Sequence, residues 1–211
     1  MEFVILIIAA YLLGSIPFGL IIAKAHGKDL RSIGSGNIGA TNLSRALGRK
    51  WAYLCFLLDA TKGLVPMLVA ASFISSPPLI TELLLALAVG CAAVLGHIFP
   101  IYVKFKGGKG VATSFGVAIG LWPYYTTCSL FALGVWAVTV LTWRYISLAS
   151  IAASVSFPLA LVLVIVLTPG WDFANLWPLL IAATTIPFIV IVRHRPNIKR
   201  LMAGTESKVF T

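Results

Sequence analysis

Two stretches of this chain join glycine to groups that attract anions: Gly34-Ser-Gly-Asn-Ile-Gly-Ala-Thr-Asn42 and Lys104-Phe-Lys-Gly-Gly-Lys-Gly-Val-Ala-Thr113. Glycine lets backbone N–H groups converge on a negative ligand, and lysine adds charge. In the first stretch, Ser35, Gly36 and Asn37 offer backbone and side-chain donors, and a helix-like stretch bearing Arg45 follows. A helix N-terminus beside such a loop favours phosphate or carboxylate. The letters G-x-G-x-x-G occur here, but no strand precedes them, so a dinucleotide fold is not implied. In the second stretch, Lys104 and Lys109 flank Gly107, Gly108 and Gly110. A nucleotide-hydrolysing loop would need glycine at Val103 and Ser or Thr at Gly110, which excludes that reading.

Other polar residues stand where apolar runs end. His97 closes one run, and Arg193-His194-Arg195-Pro196-Asn197 closes another. His194 and Asn197 are three apart and share a face if the helix continues through proline. Ser147 and Ser150 have the same spacing, which suits either hydroxyl display or close packing. Asp59 and Lys62 fall inside an apolar run, where i, i+3 spacing permits an ion pair. Cys55, Cys91 and Cys128 all lie in apolar runs with no metal or disulfide spacing, and packing is their expected role. Six acidic residues, none clustered, cannot build the carboxylate cage of a magnesium-dependent phosphotransferase. No G-x-S-x-G elbow is present either. The expected chemistry needs neither a metal nor a protein nucleophile.

The elements that must position these groups are membrane spans. The chain is 60% hydrophobic and 10% charged over 211 residues, too few charges for a soluble surface. Apolar runs near 3–23, 51–75, 79–100, 111–142, 146–168 and 177–192 are mostly long enough for a bilayer core of about 30 Å. The 111–142 run would extend about 48 Å as one helix. Trp122-Pro123-Tyr124-Tyr125 near its middle favours a turn, giving spans 111–122 and 124–142. With seven spans, the cations of the 24–50 loop, Lys104, Lys106, Lys109, Arg144 and the basic tail share one side, while Glu2, Glu82 and Asp172 face the other. The positive-inside rule then places the N-terminus outside and the C-terminus in the cytoplasm. The expected fold is an all-α integral membrane protein, one domain over 1–211. Its net charge of +10 reads as topology and attraction to anionic lipid. Nucleic acid is a poor partner, because no soluble domain is present to read a groove.

In this order, the segments resemble the bacterial acyl-phosphate:glycerol-3-phosphate acyltransferase (PlsY) family. The resemblance rests on Gly14-Ser-Ile-Pro-Phe-Gly19, Ser35-Gly-Asn-Ile-Gly-Ala-Thr-Asn42, Asp59-Ala-Thr-Lys-Gly63, Gly96-His97, Phe105-Lys-Gly-Gly-Lys-Gly-Val-Ala-Thr113, Ser147-Leu-Ala-Ser150, His194-Arg-x-Asn197, Arg200-Leu201 and Gly204-x-Glu206. It implies seven transmembrane helices in a bacterial inner membrane and a cytoplasmic active site. It also implies acyl transfer from acyl phosphate to the 1-hydroxyl of sn-glycerol 3-phosphate, giving lysophosphatidic acid without a cofactor. Ser35, Gly36, Asn37 and Gly107 to Gly110 would take the acyl phosphate, with Lys109 neutralising the departing phosphate. Arg45, Lys104, His194 and Asn197, with Ser147 or Ser150, would hold glycerol 3-phosphate. Lys104, His194, Asn197 and Ser35 are the expected catalytic groups, with His97, Asp59 and Lys62 in support. The proton acceptor is open between His194, His97 and substrate phosphate. A soluble enzyme that makes acyl phosphate is the candidate partner for the basic face. The competing class is an organophosphate transporter, with Asp59 and Lys62 marking a pathway. Polar groups gathered on one side and the lack of an inverted repeat argue against it. A non-catalytic scaffold leaves the glycine–lysine segments unexplained.

Overall fold

The computed structural model describes residues 2–209; the ends of the expected domain, Met1, Phe210 and Thr211, lie outside the described residues. Every regular element among them is helical. The first apolar run, read as one span over 3–23, forms two helices, α1 (Glu2–Gly14) and α2 (Phe18–Ala25), within one candidate span. Pro17 causes the break: it has no N–H to donate, and it forces the residue before it out of the helical region. The amphipathic α3 (Ala40–Leu47) follows the first glycine stretch. Next come α4 (Arg49–Ala71) and α5 (Ile80–Ile98), then a 3-10 turn at Ile101–Val103. The chain continues through α6 (Val111–Gly120), α7 (Thr126–Trp143), α8 (Ile146–Leu167) and α9 (Phe173–Arg193) to the short α10 (Arg195–Met202).

Six stretches are long and apolar enough to cross a membrane: Glu2–Ala25, Arg49–Ala71, Ile80–Val103, Thr126–Trp143, Ile146–Leu167 and Phe173–Arg193. The expected 111–122 span is the exception. It appears as α6, with 10 residues, about 15 Å of helix and half the hydrocarbon thickness. Proline at 123 stops continuation into α7, and Thr126 Oγ1 donates to Ile119 O at 3.0 Å to close the turn. α6 and α7 therefore form a hairpin. Lys109 before α6 bonds to Asn197 of α10, while Arg144 O after α7 accepts from Val209 N at 2.8 Å. Both ends of the hairpin reach the C-terminal segment on one face.

Apolar side chains point outward as well as inward, as expected in lipid. Leu159, Leu163, Val166 and Leu167 of α8 each expose 57–68% of their surface. The main core joins α1 and α4 to α9 through residues such as Met67, Leu83, Leu121, Leu161 and Leu179. A smaller cluster of Ile22, Leu30, Ile38, Leu43 and Cys55 lies beneath the first glycine stretch. That cluster packs the stretch against α2, α3 and α4.

Candidate active site

The site begins with an ammonium group. Lys109 Nζ donates to Asn197 Oδ1 at 2.6 Å, joining the second glycine stretch to α10. Asn197 Nδ2 in turn donates to Glu206 Oε1 at 2.6 Å. The same carboxylate accepts from Ser147 Oγ at 2.7 Å and from Arg200 Nε at 2.6 Å. Burial acts to raise the Glu206 pKa, but the bonds from Asn197, Ser147 and Arg200 outweigh it and hold the carboxyl below its usual range. Ionised Glu206 accepts from three side chains, which fixes the amide of Asn197 so that its oxygen faces Lys109.

Burial pushes Lys109 down to about 8; Glu206 opposes this, while Arg200, Arg45 and Arg193 add to it. These three guanidinium groups form its electrostatic surroundings. An amine flanked by Arg45, Arg193 and Arg200 in a half-buried setting is arranged to receive an anion. α6 begins immediately after Gly110, so its N-terminal dipole adds to that field.

His194 ends α9 and precedes α10, whose first turn carries Pro196. Proline suits a first turn because no intrahelical partner is needed there. The helix restarts instead of running through, and Asn197 N donates to His194 O at 2.9 Å. The His194 ring is 2% exposed, and its Nδ1 lies 2.8 Å from Val190 O. A carbonyl only accepts, so Nδ1 carries the proton and Nε2 keeps a lone pair. Burial and then the Lys109 charge push His194 down to about 4, against the pull of Val190 O and Glu206. At neutral pH the ring is uncharged.

The loop that leads into the first glycine stretch bonds to the second. Arg31 Nη2 of the first loop donates to Lys106 O of the second at 2.9 Å. Their N–H groups do not all converge on an open site. Gly107 N donates to Ile98 O at 3.2 Å and Gly108 N to His97 O at 3.1 Å. Gly36 N donates to Ile33 O, and Ser35 N to Asn42 Oδ1. What glycine supplies at Gly108 is room: a Cβ there would collide with His97 Nε2. Arg193 Nη2 reaches the carbonyls of Gly107 and Gly108 at 3.3 and 3.2 Å, holding the loop from α9.

Several expected site residues lie apart from this network. Lys104 is exposed, in a left-handed backbone conformation after the 3-10 turn, and makes no polar contact among the described residues. Ser35 is exposed, whereas Gly36 and Asn37 are half-buried, with Asn37 Oδ1 accepting from Gly39 N at 2.9 Å. Ser150 Oγ donates to Ile146 O at 2.8 Å within its own helix. Asp59 and Lys62 do pair, at 2.8 Å and almost fully buried. Lys62 Nζ also donates to Ile16 O at the α1–α2 break, and Thr113 Oγ1 donates to Asp59 O. His97 Nδ1 stands 3.6 Å from Asp59 Oδ1, beneath Gly108. These three residues join α1, α4, α5 and α6 below the loop.

Arg31, Arg193, Arg200 and Glu206 had no assigned site role in the sequence reading. Arg31 counted only as topological charge, Arg193 as part of the basic cluster around His194, and Arg200, like Glu206, as part of the resemblance. Glu206 carried a sharper signal, as the only acid after Asp172, placed among basic residues.

Next to the polar network lies an apolar cavity of about 170 Å³. Its lining includes Val111 two residues after Lys109, Ser150 three after Ser147, and Val190, whose carbonyl holds His194. Tyr125, just before α7, and Phe157 of α8 line it further on. A cationic site beside an apolar chamber between helices can hold an amphiphile with an anionic head.

The fold and this site define a polytopic helical membrane protein that can bind lipid-like anions. Residues 4–204 match the family described as glycerol-3-phosphate acyltransferase. The glycerol-3-phosphate acyltransferase of Geotalea daltonii is 44% identical over 204 residues, covering 97% of this chain and 96% of the relative. That of Aquifex aeolicus is 44% identical over 210 residues, covering 99% and 100%. Among solved structures, PlsY (YgiH), an integral membrane glycerol 3-phosphate acyltransferase, in its glycerol 3-phosphate form, superposes with a TM-score of 0.86. It is 43% identical, with 99% of this chain and 96% of that chain covered. Its lysophosphatidic acid form gives 0.83 at 42% identity, covering 99% and 95%. The chain belongs to the glycerol-3-phosphate acyltransferase family. The relatives that it matches are named as glycerol-3-phosphate acyltransferases, and the solved ones as integral membrane proteins.

Proposed function

We propose that the acyl donor is an acyl phosphate and that the acceptor is the 1-hydroxyl of sn-glycerol 3-phosphate. The reaction would take place at the cytoplasmic face of a bacterial inner membrane, releasing lysophosphatidic acid and inorganic phosphate. The observation that carries this reading is the Lys109–Asn197–Glu206 chain beside the apolar cavity. It offers an anion site and an acyl chamber in direct succession. The solved relatives, in glycerol 3-phosphate and lysophosphatidic acid forms, support the same acceptor and product.

The donor phosphate would sit against Lys109 and the N-terminus of α6, with Ser35, Gly36 and Asn37 closing one side. Glycerol 3-phosphate would rest near Arg45, His194 and Asn197, its phosphate within reach of Lys104. The acyl chain enters the cavity, past Ser150. Attack of the hydroxyl oxygen on the carbonyl carbon forms the ester, and the carbon–oxygen bond to phosphate breaks with the electron pair leaving on phosphate. Lys109 neutralises that charge. The hydroxyl proton passes to His194 Nε2 or to a phosphate oxygen. An acyl phosphate is already activated, so positioning and charge stabilisation are the main demands on the protein.

Seven crossings fit this reading, with α6 and the Leu121–Tyr125 turn forming the short seventh, because both ends of the α6–α7 hairpin meet the basic tail. The test is purified protein in detergent with palmitoyl phosphate and radiolabelled glycerol 3-phosphate, without added metal. Lysophosphatidic acid should form, and palmitoyl-CoA should not replace the donor. Transfer from palmitoyl-CoA at an equal rate would overturn the donor assignment.

A further inference from the structure

Four serines line the apolar cavity: Ser114, Ser129, Ser150 and Ser154. Three donate to the carbonyl one turn back, as serines in apolar helices do. Ser129 reaches Tyr125 O at 2.8 Å, Ser150 reaches Ile146 O at 2.8 Å, and Ser154 reaches Ser150 O at 2.7 Å. Ser114 differs. Its Oγ is buried and has no hydrogen-bond partner among the described residues. A buried hydroxyl without a partner has lost its hydrogen bonds to water uncompensated, and that cost is relieved when a ligand supplies the missing acceptor.

The position of Ser114 indicates which acceptor. With Val111 and Ala118 it belongs to the stripe of α6 that lines the cavity, at the i, i+3 and i+7 spacing of one helix face. It lies four residues beyond Gly110, about 6 Å along the axis from the N-terminus of α6. An acyl phosphate with its head at that N-terminus and its tail in the cavity carries its carbonyl oxygen at this first turn. Resting on the proposed donor reading, we infer that the Ser114 hydroxyl donates to the carbonyl oxygen of the acyl phosphate. It would strengthen that bond as the oxygen gains negative charge, and Ser114 keeps its own proton throughout. No other side chain in the cavity lining offers a hydroxyl free of its own helix and so close to Lys109. Tyr125 OH is engaged by Leu179 O.

The test compares Ser114→Ala with wild type in two measurements. In turnover of palmitoyl phosphate, loss of one donor to a developing oxyanion should lower kcat by about 10²-fold, and Ser114→Thr should recover much of it. In binding, two non-hydrolysable analogues separate carbonyl recognition from simple packing. One is the β-ketophosphonate of palmitoyl phosphate, with methylene in place of the bridging oxygen. The other is the alkylphosphonate of equal length without the carbonyl. Ser114→Ala should weaken the ketophosphonate by about tenfold, as for a lost buried hydrogen bond, and leave the alkylphosphonate unchanged. Equal weakening of both analogues, or an unchanged kcat, overturns the inference. Wild-type protein that fails to turn over palmitoyl phosphate while binding the ketophosphonate more tightly than the alkylphosphonate, in a Ser114-dependent way, would instead overturn the donor reading and leave the contact standing.

Discussion

Lys109 carries the most information of any single side chain here. Its pKa is pushed down to about 8 from 10.5 by burial, so the free protein loses this charge as pH rises through 8. A bound phosphate dianion favours the ammonium and raises that value, so binding takes up a proton between about 8 and 10.5. Apparent affinity for the phosphorylated donor should therefore be flat below pH 8. It should weaken above pH 8, by up to about tenfold per unit. The KM for palmitoyl phosphate, whose own second ionisation lies below this range, measured from pH 6.5 to 9.5 checks this, and Lys109→Met should abolish the slope as well as weaken binding. A slope that survives in Lys109→Met would assign the titration elsewhere. The residue scale was also partly legible in sequence. The i, i+3 pair Asp59–Lys62 forms as its spacing permits. The roles of Arg31 and Arg193 were hidden, because each acts through partners 75 to 86 positions away, and Glu206 ties its neighbours Asn197 and Arg200 to Ser147, 59 positions back. No local pattern encodes contacts of that range.

Among the elements, α6 is the one whose sequence pattern is easiest to misread. Hydropathy treats 111–122 as one span among equals, yet the helix is short and tightly packed. Its seat on α4 depends on absent side chains: a Cβ at Gly116 would meet Ala60 O, and one at Gly63 would meet Thr113 O. Backbone oxygens cannot move aside as a flexible side chain can, and small residues are what let membrane helices approach this closely. Gly116→Ala should force α6 away from α4 and disturb Lys109 at its start. The expected result is a lower unfolding temperature in detergent and at least about tenfold less activity, as a 1 Å misplacement can cost 10²-fold. An unchanged unfolding temperature would contradict this packing. The α1–α2 break was signalled by Pro17, but apolar residues on both sides concealed it within one hydrophobic run.

For the whole molecule, charge placement in the sequence anticipated which segments meet. The segments around 31, 45 and 106 and the one near 197–206 do come together. What charge could not show is how the glycine loops are built, because N–H groups of Gly36, Gly107 and Gly108 bond within the protein. Orientation is testable with single cysteines in a background lacking Cys55, Cys91 and Cys128. In inside-out vesicles, a membrane-impermeant thiol reagent should label Ser32→Cys, Lys106→Cys and Lys199→Cys, and it should spare Ser76→Cys. Labelling of Ser76→Cys together with Lys106→Cys in sealed vesicles would contradict the proposed arrangement.

The hydrogen bond from Lys109 to Asn197 joins residues 88 positions apart, and its last support, Glu206, comes later still. A nascent chain threaded into the bilayer from its N-terminus has every earlier helix available before this link can close. The Lys109 contact is thus withheld until residues 197–206 have emerged, and on the proposed reading a translation product interrupted before them is expected to leave an inert bundle in the membrane.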